Sequence, residues 1–188
     1  ELCGQSIFKK SYVIPGSADV NRFLFSAIYR DLIRNLYNLG HRPVIIYAGR
    51  LQGFWHEGDT IFKFINGLFE EIPNLFFLCI TPDMRDAESL SILYSFKEEQ
   101  IKITAADYND INMYLSAADV AIILRRDLMT NNVASPTKVP EYLLNGLPVI
   151  ISDGIGDFSD FVKRNKFGLV VDEKNLYTTA TKELVANL

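Results

Sequence analysis

Short apolar runs with little polar alternation recur along this chain, each separated from the next by a stretch long enough for a helix. They are PVIIYAG from Pro43 to Gly49, LFFLCI after Asn74, IKIT ending at Thr104, DVAIIL from Asp119, LPVIIS from Leu147 and FGLVV from Phe167. A strand wetted on one face alternates apolar and polar residues, whereas a strand covered on both faces does not. Cover on both faces is what helical crossovers between parallel strands provide. The pattern therefore predicts an α/β fold: a doubly wound, Rossmann-like parallel sheet.

The intervening segments carry helical periodicity. The stretch from about Asn21 to Leu39 places Phe25, Ile28, Leu32, Leu36 and Leu39 on one face, and Gly40 ends it. Thr60 reads as the N-cap of a helix with Ile61, Phe64, Ile65 and Leu68 on its stripe. Further helices are expected over Asp86 to Lys97, Asn109 to Ala117, through Tyr142–Leu144 to a stop at Gly146, over Asp157 to Arg164, and over Lys174 to Ala186. The stretch from Arg125 to Ala134 reads as a loop.

Length and charge narrow the function classes. At 188 residues and 48% hydrophobic, the chain can bury one ordinary core, so a single domain spanning 1–188 is expected, with 1–20 as a segment crossing in from elsewhere. It opens at Glu1 without an initiator Met, which reads as a piece of something longer. With 19 basic against 23 acidic residues the net charge is −4, so no cationic field favours nucleic acid as a partner. Cys3 and Cys79 are too few and too far apart for a disulfide framework or a metal site. No apolar run approaches the roughly 20 residues of a transmembrane helix, and the amino terminus lacks a signal-peptide pattern. A cytoplasmic setting is expected.

In a doubly wound sheet the ligand sits at the carboxyl ends of the strands. After the first core strand come Gly49 and Arg50, where glycine admits a close ligand and the guanidinium fork suits phosphate oxygens, although a solvated turn arginine fits this dipeptide equally well. The segment ASPTKVPEYLLNGLPVI, from Ala134 to Ile150, says more. Ser135 and Pro136 read as the N-cap and first turn of a helix whose free N–H groups, with Thr137 and Lys138, face the crevice. Lys138 and Glu141 are three apart and so share a helix face. A diphosphate beside Lys138 would bring an attached ribose to Glu141, whose carboxylate accepts from two vicinal hydroxyls. Pro140 implies an irregular or late-starting first turn. Thr81, Pro82, Thr104 and Tyr108 follow other strands and are candidates for a base pocket. His56 and Trp55 are candidates for phosphate or sugar contact, and each reads as readily as an exposed or packed side chain. The GIG of Gly154–Gly156 lacks the third glycine of a dinucleotide fingerprint and reads as a turn.

VIPGSADVNRF (Val13–Phe23), VIIYAGRL (Val44–Leu51), YLSAADVAIIL (Tyr114–Leu124) and SPTKVPEYLLNGLPVI followed by GIGDF, in this order, resemble the carboxyl-terminal domain of retaining GT-B glycosyltransferases of the group 1 family. The resemblance covers nearly the whole chain, and its most specific piece is SPTKxxEYLxxGLPVI. It implies an amino-terminal acceptor domain not contained in this chain, a nucleoside diphosphate sugar as donor substrate, and retention of anomeric configuration. It further implies that Arg50 and Lys138 grip the donor diphosphate and stabilise its departure, and that Glu141 binds the ribose. Two positions depart from the family pattern. His56 stands where a lysine is common, and Val133 stands where a glutamate contacting the transferred sugar is common, leaving Asn131 or Asn132 as nearby polar substitutes.

Departure of a nucleoside diphosphate needs a metal ion or fixed positive groups to stabilise the leaving oxygen. No DxD pair occurs in the sequence, whereas Arg50 and Lys138 do, so metal-independent transfer with no cofactor is expected. An acceptor at an envelope or surface polysaccharide, handled at the inner membrane face, is what the family makes plausible. Three other readings stay open: a sugar-nucleotide 2-epimerase half, a receiver-type regulatory domain, and a degenerate, non-catalytic half. The receiver reading requires acidic residues after the first strand, where this chain has Gly49-Arg50.

Overall fold

The computed structural model describes Tyr12, residues 14–53 and residues 58–172. The expected helix from Lys174, together with Trp55, His56 and Cys3, lies outside the described residues. In chain order the elements are α1 (Ala27–Leu36), β1 (Val44–Ala48), α2 (Gly58–Glu71), β2 (Phe76–Ile80), α3 (Met84–Leu93), β3 (Ile101–Thr104), α4 (Ile111–Ala117), β4 (Val120–Ile123), α5 (Met129–Asn132), α6 (Lys138–Leu144), β5 (Val149–Ser152), α7 (Gly156–Asn165) and β6 (Gly168–Val171). All six strands pair in parallel, in the order β3-β2-β1-β4-β5-β6. The chain reverses its direction of travel across the sheet between β1 and β4, the place where such folds open a ligand crevice.

The continuous apolar runs are explained by their burial. Every residue of β1, β2 and β4 is buried. Their side chains divide between two cores: Ile45, Tyr47, Phe77 and Cys79 pack with α2 on one face. Val44, Ile46, Ala48, Phe76, Leu78 and Ile80 pack with α4, α6 and α7 on the other. Fully burying one such side chain contributes about 1.5–3 kcal/mol relative to exposure. Within the first core the Phe62 ring meets Phe77 edge-on at 5.5 Å and stacks on Phe96 at 5.4 Å. The thiol of Cys79 is free and buried, and burial pushes it far above the usual thiol range, so it behaves as a small apolar core residue.

The helix expectations meet different fates. In α2 the expected stripe Ile61, Phe64, Ile65 and Leu68 is fully buried, although the helix starts at Gly58 and Thr60 lies inside it instead of capping it. Helix α1 is shorter than its periodicity suggests. Residues 19–23 form a turn in which Asp19 O accepts from Phe23 N at 2.9 Å, and Ser26 caps the helix by accepting from Tyr29 N. Its apolar stripe points outward: Phe25, Ile28, Leu32 and Leu36 are exposed, Ile28 to 78%, while Leu39 alone of that set is buried. The cause is placement. Helix α1 lies outside α4, with Ser26 N donating to Ser116 Oγ at 3.2 Å, and it is tied down by the arginines on its inner side. The Arg125–Ala134 stretch contains the four-residue α5, which the sequence reading missed. No helix among the described residues is long and apolar enough to cross a membrane.

Candidate functional site

The turns after β1, β2, β3 and β4 and the start of α6 enclose a cleft of about 390 Å³ at the carboxyl edge of the sheet. Gly49, Thr81, Pro82, Tyr108, Arg125, Pro136, Thr137, Lys138 and Glu141 line it. Larger cavities lie elsewhere, and two of them border the sheet or the segment beside the site. One of about 860 Å³, at the amino ends of β1 and β4, is lined by Arg30, Arg34 and Asp119, whose polar groups are bound to one another and to backbone carbonyls. The other, about 780 Å³, is a mostly apolar groove between residues 15–20, α6 and α7. The smallest of these three combines Lys138 and Arg125 with a position at the carboxyl ends of the strands.

Helix α6 brings Lys138 and Glu141 into the cleft, as their spacing predicts. Its start corrects the expected cap. Thr137, not Ser135, is the N-cap residue, it makes no side-chain capping bond, and the helix has only seven residues. A turn precedes it, with Val139 N donating to Pro136 O at 3.3 Å. Pro140 fits because the first turn has no use for its missing N–H. A dipole built from so few peptides is weak, so attraction for an anion here rests on side-chain charge. The Ser135 hydroxyl faces away from the cleft and accepts from Gly16 N at 2.5 Å, fastening residues 14–18 alongside the site.

Gly49 has a steric reason. Its φ is +155°, and a Cβ built there would collide with Cε and Nζ of Lys138. The lysine therefore lies across the glycine backbone, and Nζ makes no hydrogen bond among the described residues. Burial and then the neighbouring Arg125 push its ammonium below the usual lysine value, with Glu141 opposing them. Glu141 is 7% exposed and accepts a long hydrogen bond from the Tyr108 hydroxyl at 3.4 Å. Burial raises its carboxyl above the ordinary value, against the pull of Lys138 and Tyr108. Tyr108 is held by the edge of Phe23 at 5.6 Å and by Arg22, which lies 4.7 Å over its ring.

Arg50 is not among the residues lining the cleft. Its side chain is 69% exposed and lies 3.6 Å from Asp83. Asp83 also accepts from the backbone of Leu51 at 2.9 Å and Gln52 at 3.2 Å, and the Tyr47 hydroxyl donates to Arg50 O, so the loop after β1 is built around these two groups. Thr104 sits at the end of β3 with its hydroxyl on Ala105 O, and its neighbours Ala105 and Ala106 line the cleft in its place. Asn132 also turns elsewhere. In the amide orientation that satisfies its surroundings it donates to Gly154 O at 2.6 Å and Leu128 O at 3.3 Å. Val133 is 79% exposed. Gly154 and Gly156 have φ of +72° and +44°, and a Cβ on Gly156 would strike Ala134 O, so the GIG is a tight turn packed on the α5–α6 connection.

Sequence reasoning missed Arg125, Asp83 and Tyr142. Arg125 follows β4 as Arg50 follows β1, so the same strand-end rule points to it. For Tyr142 the sequence indicates only that it lies within a helix. Its fully buried hydroxyl accepts from Ala48 N at 3.1 Å and donates to Ala48 O at 3.3 Å, fixing the end of β1 to α6.

A sequence profile described as glycosyl transferases group 1 matches residues 42–187. The chain belongs to this family. Among solved structures it is similar to WaaG, a glycosyltransferase involved in lipopolysaccharide biosynthesis, with a TM-score of 0.71 and 13% identity over 93% of this chain and 47% of that one. It is similar also to HepE of Anabaena in complex with UDP and glucose, with a TM-score of 0.67 and 14% identity over 91% and 45%. A third is the C-terminal domain of the group 1 family protein LpcC from Francisella tularensis, with a TM-score of 0.62 and 14% identity over 91% and 85%. The chain thus spans about half the length of WaaG and HepE. At these identities the likeness establishes the GT-B type of fold. A sequence comparison with curated proteins finds no match.

Proposed function

We propose that this chain is the donor-binding domain of a glycosyltransferase that transfers a sugar from a nucleoside diphosphate with retention of configuration and without a metal ion or other cofactor. The observation that carries the reading is the joint presence of Lys138 and Glu141 in the carboxyl-edge cleft, beside the switch point of a sheet that belongs to the family. A cation and a carboxylate on one helix face match the two ends of a ribose diphosphate. Lys138 takes phosphate oxygens, and Glu141 accepts from the ribose hydroxyls. Arg50 reaches the same phosphates by exchanging Asp83 for them. Thr81, Pro82 and Tyr108 border the space left for the base.

The bond to the anomeric carbon breaks as negative charge gathers on the diphosphate. A fixed ammonium whose charge burial disfavours gains most when that anion arrives, which is why Lys138 supports a metal-independent route. Retention rests on the family resemblance and is read from the anomeric configuration of the product. HepE, the fold relative in complex with UDP and glucose, makes UDP the first nucleotide to try. The reading places the full-length enzyme in the cytoplasm, with its acceptor held by a second, amino-terminal domain. The test is a titration of the chain with UDP, GDP and dTDP in EDTA, followed by thermal melting. At 100 times its dissociation constant a true ligand stabilises by about 2.7 kcal/mol. The reading requires one diphosphate to do so without metal and Lys138→Ala to abolish it. Should none bind at millimolar concentration, a non-catalytic half takes its place.

A further inference from the structure

We propose that Arg125 is the principal partner of Lys138 in holding the phosphates, so that the anion clamp is built from the end of β4 and the start of α6, with Arg50 secondary to both. This rests on the donor-site reading and deepens it.

The geometry assigns the role. Arg125 is the second residue after β4, which neighbours β1 at the switch point, and its side chain lines the same cleft as Lys138 and Glu141. It is held from two sides. Its backbone N–H donates to Ser152 Oγ at 2.9 Å, and one guanidinium nitrogen reaches Asn131 Oδ1 at 3.4 Å. Asn131 is 1% exposed and is itself fixed, with Nδ2 on Arg126 O at 2.8 Å, so a buried amide orients the arginine. Nε of Arg125 is buried and has no hydrogen-bond partner among the described residues. No carboxylate forms an ion pair with Arg125 among the described residues, in contrast to Arg50 with Asp83. Two desolvated cations face one cleft, each disfavoured by burial, and Lys138 is further disfavoured by Arg125. Such an arrangement is costly empty and is relieved by a polyanion. A planar guanidinium that lines the cleft suits phosphate oxygens, while the ammonium acts on them as a point charge. Asn131 is then a positioning residue. A polar side chain near Val133 was expected to contact sugar, and Asn131 instead orients a phosphate ligand.

The test uses the chain with UDP, GDP and dTDP, the corresponding free nucleosides, and inorganic pyrophosphate as competitor, all in EDTA, with affinities from calorimetry. Arg125→Ala and the near-isosteric Arg125→Gln are expected to weaken the preferred diphosphate and pyrophosphate at least tenfold, leave the nucleoside within twofold, and melt near the parent without ligand. Arg50→Ala should weaken diphosphate less than either, and Arg125→Lys should recover part of the loss. Asn131→Ala should reproduce a fraction of the Arg125→Ala effect on diphosphate alone. If Lys138→Ala abolishes diphosphate binding while both Arg125 variants bind like the parent, the donor site stands and this assignment is overturned. Equal losses for nucleoside and diphosphate would make Arg125 merely structural and overturn it also. If the parent binds no diphosphate, the donor reading and this one fall together.

Discussion

The two ends of the sheet carry nearly the same charges and treat them in opposite ways. At the amino edge are Arg30, Arg34 and Asp119; at the carboxyl edge are Arg125, Lys138 and Glu141. In the first set the polarity is spent inside the molecule. Arg30 donates to the carbonyls of Ser116, Ala117 and Ala118 and pairs with Asp119 at 2.6 Å. Arg34, 8% exposed, donates to the carbonyls of Gly40, Ala117 and Arg42. Asp119 accepts in turn from Val44 N at 2.8 Å, joining β1 to β4. In the second set Lys138 makes no hydrogen bond among the described residues, Arg125 keeps an orphan Nε, and Glu141 has one long bond to Tyr108. Equal charge counts separate a structural rivet from a binding site only when the partners are counted.

Breaking the rivet should produce the largest effect. Arg34→Ala leaves several carbonyls and Asp119 short of donors, and a loss of about 3 kcal/mol is expected. For a chain of this size that is a fall of roughly 6–12 °C in melting temperature, with diphosphate affinity of the folded protein unchanged. Gly49→Ala sharpens the contrast from the other edge. It combines a positive φ with a collision against Lys138, so a loss of about 1–3 kcal/mol is expected, together with at least tenfold weaker diphosphate binding as the ammonium is displaced.

Glu141→Gln should move stability and binding in opposite directions. The folded-state pKa of Glu141 is raised above its ordinary 4.5, so between these values the folded state holds more proton than the unfolded one. Stability then falls as pH rises through that interval. Removing the charge gives a small rise in melting temperature at pH 7 and none below pH 4, while nucleoside affinity drops about tenfold because a charged acceptor is lost. A carboxylate kept for structure would show the reverse. The smallest effect belongs to α1. Ile28→Glu should alter stability by no more than about 0.5 kcal/mol in thermal melts, since the side chain is 78% exposed.

The α1 result shows where periodicity stops being informative. Helices α1 and α2 have equally clear apolar stripes, and only α2 lays its stripe on a sheet. The pattern reports that a face is apolar and not what covers it, and in α1 the inner contacts are made by Ile33 together with Arg30 and Arg34. Site residues behaved similarly. Lys138 and Glu141 were legible because helical spacing fixes their common face, whereas Arg50 and Thr104 were correctly placed at strand ends with their side chains turned to local partners. Arg125 stands at a strand end just as Arg50 does; what was illegible is its support, because its loop hides α5 and only folding brings Asn131 against it.

The sequence by itself determined the parallel sheet, the order of elements, the family resemblance through SPTKxxEYLxxGLPVI, and the pairing of Lys138 with Glu141. Each of these follows from local periodicity or short spacing, which the backbone enforces without outside help. Only the tertiary structure decided which charges are already neutralised, why Gly49 must lack a Cβ, and which of two strand-end arginines faces the cleft. Those depend on contacts between segments 32 to 119 residues apart, such as Leu51 with Asp83 and Gly16 with Ser135, and long-range proximity is created only when the sheet assembles.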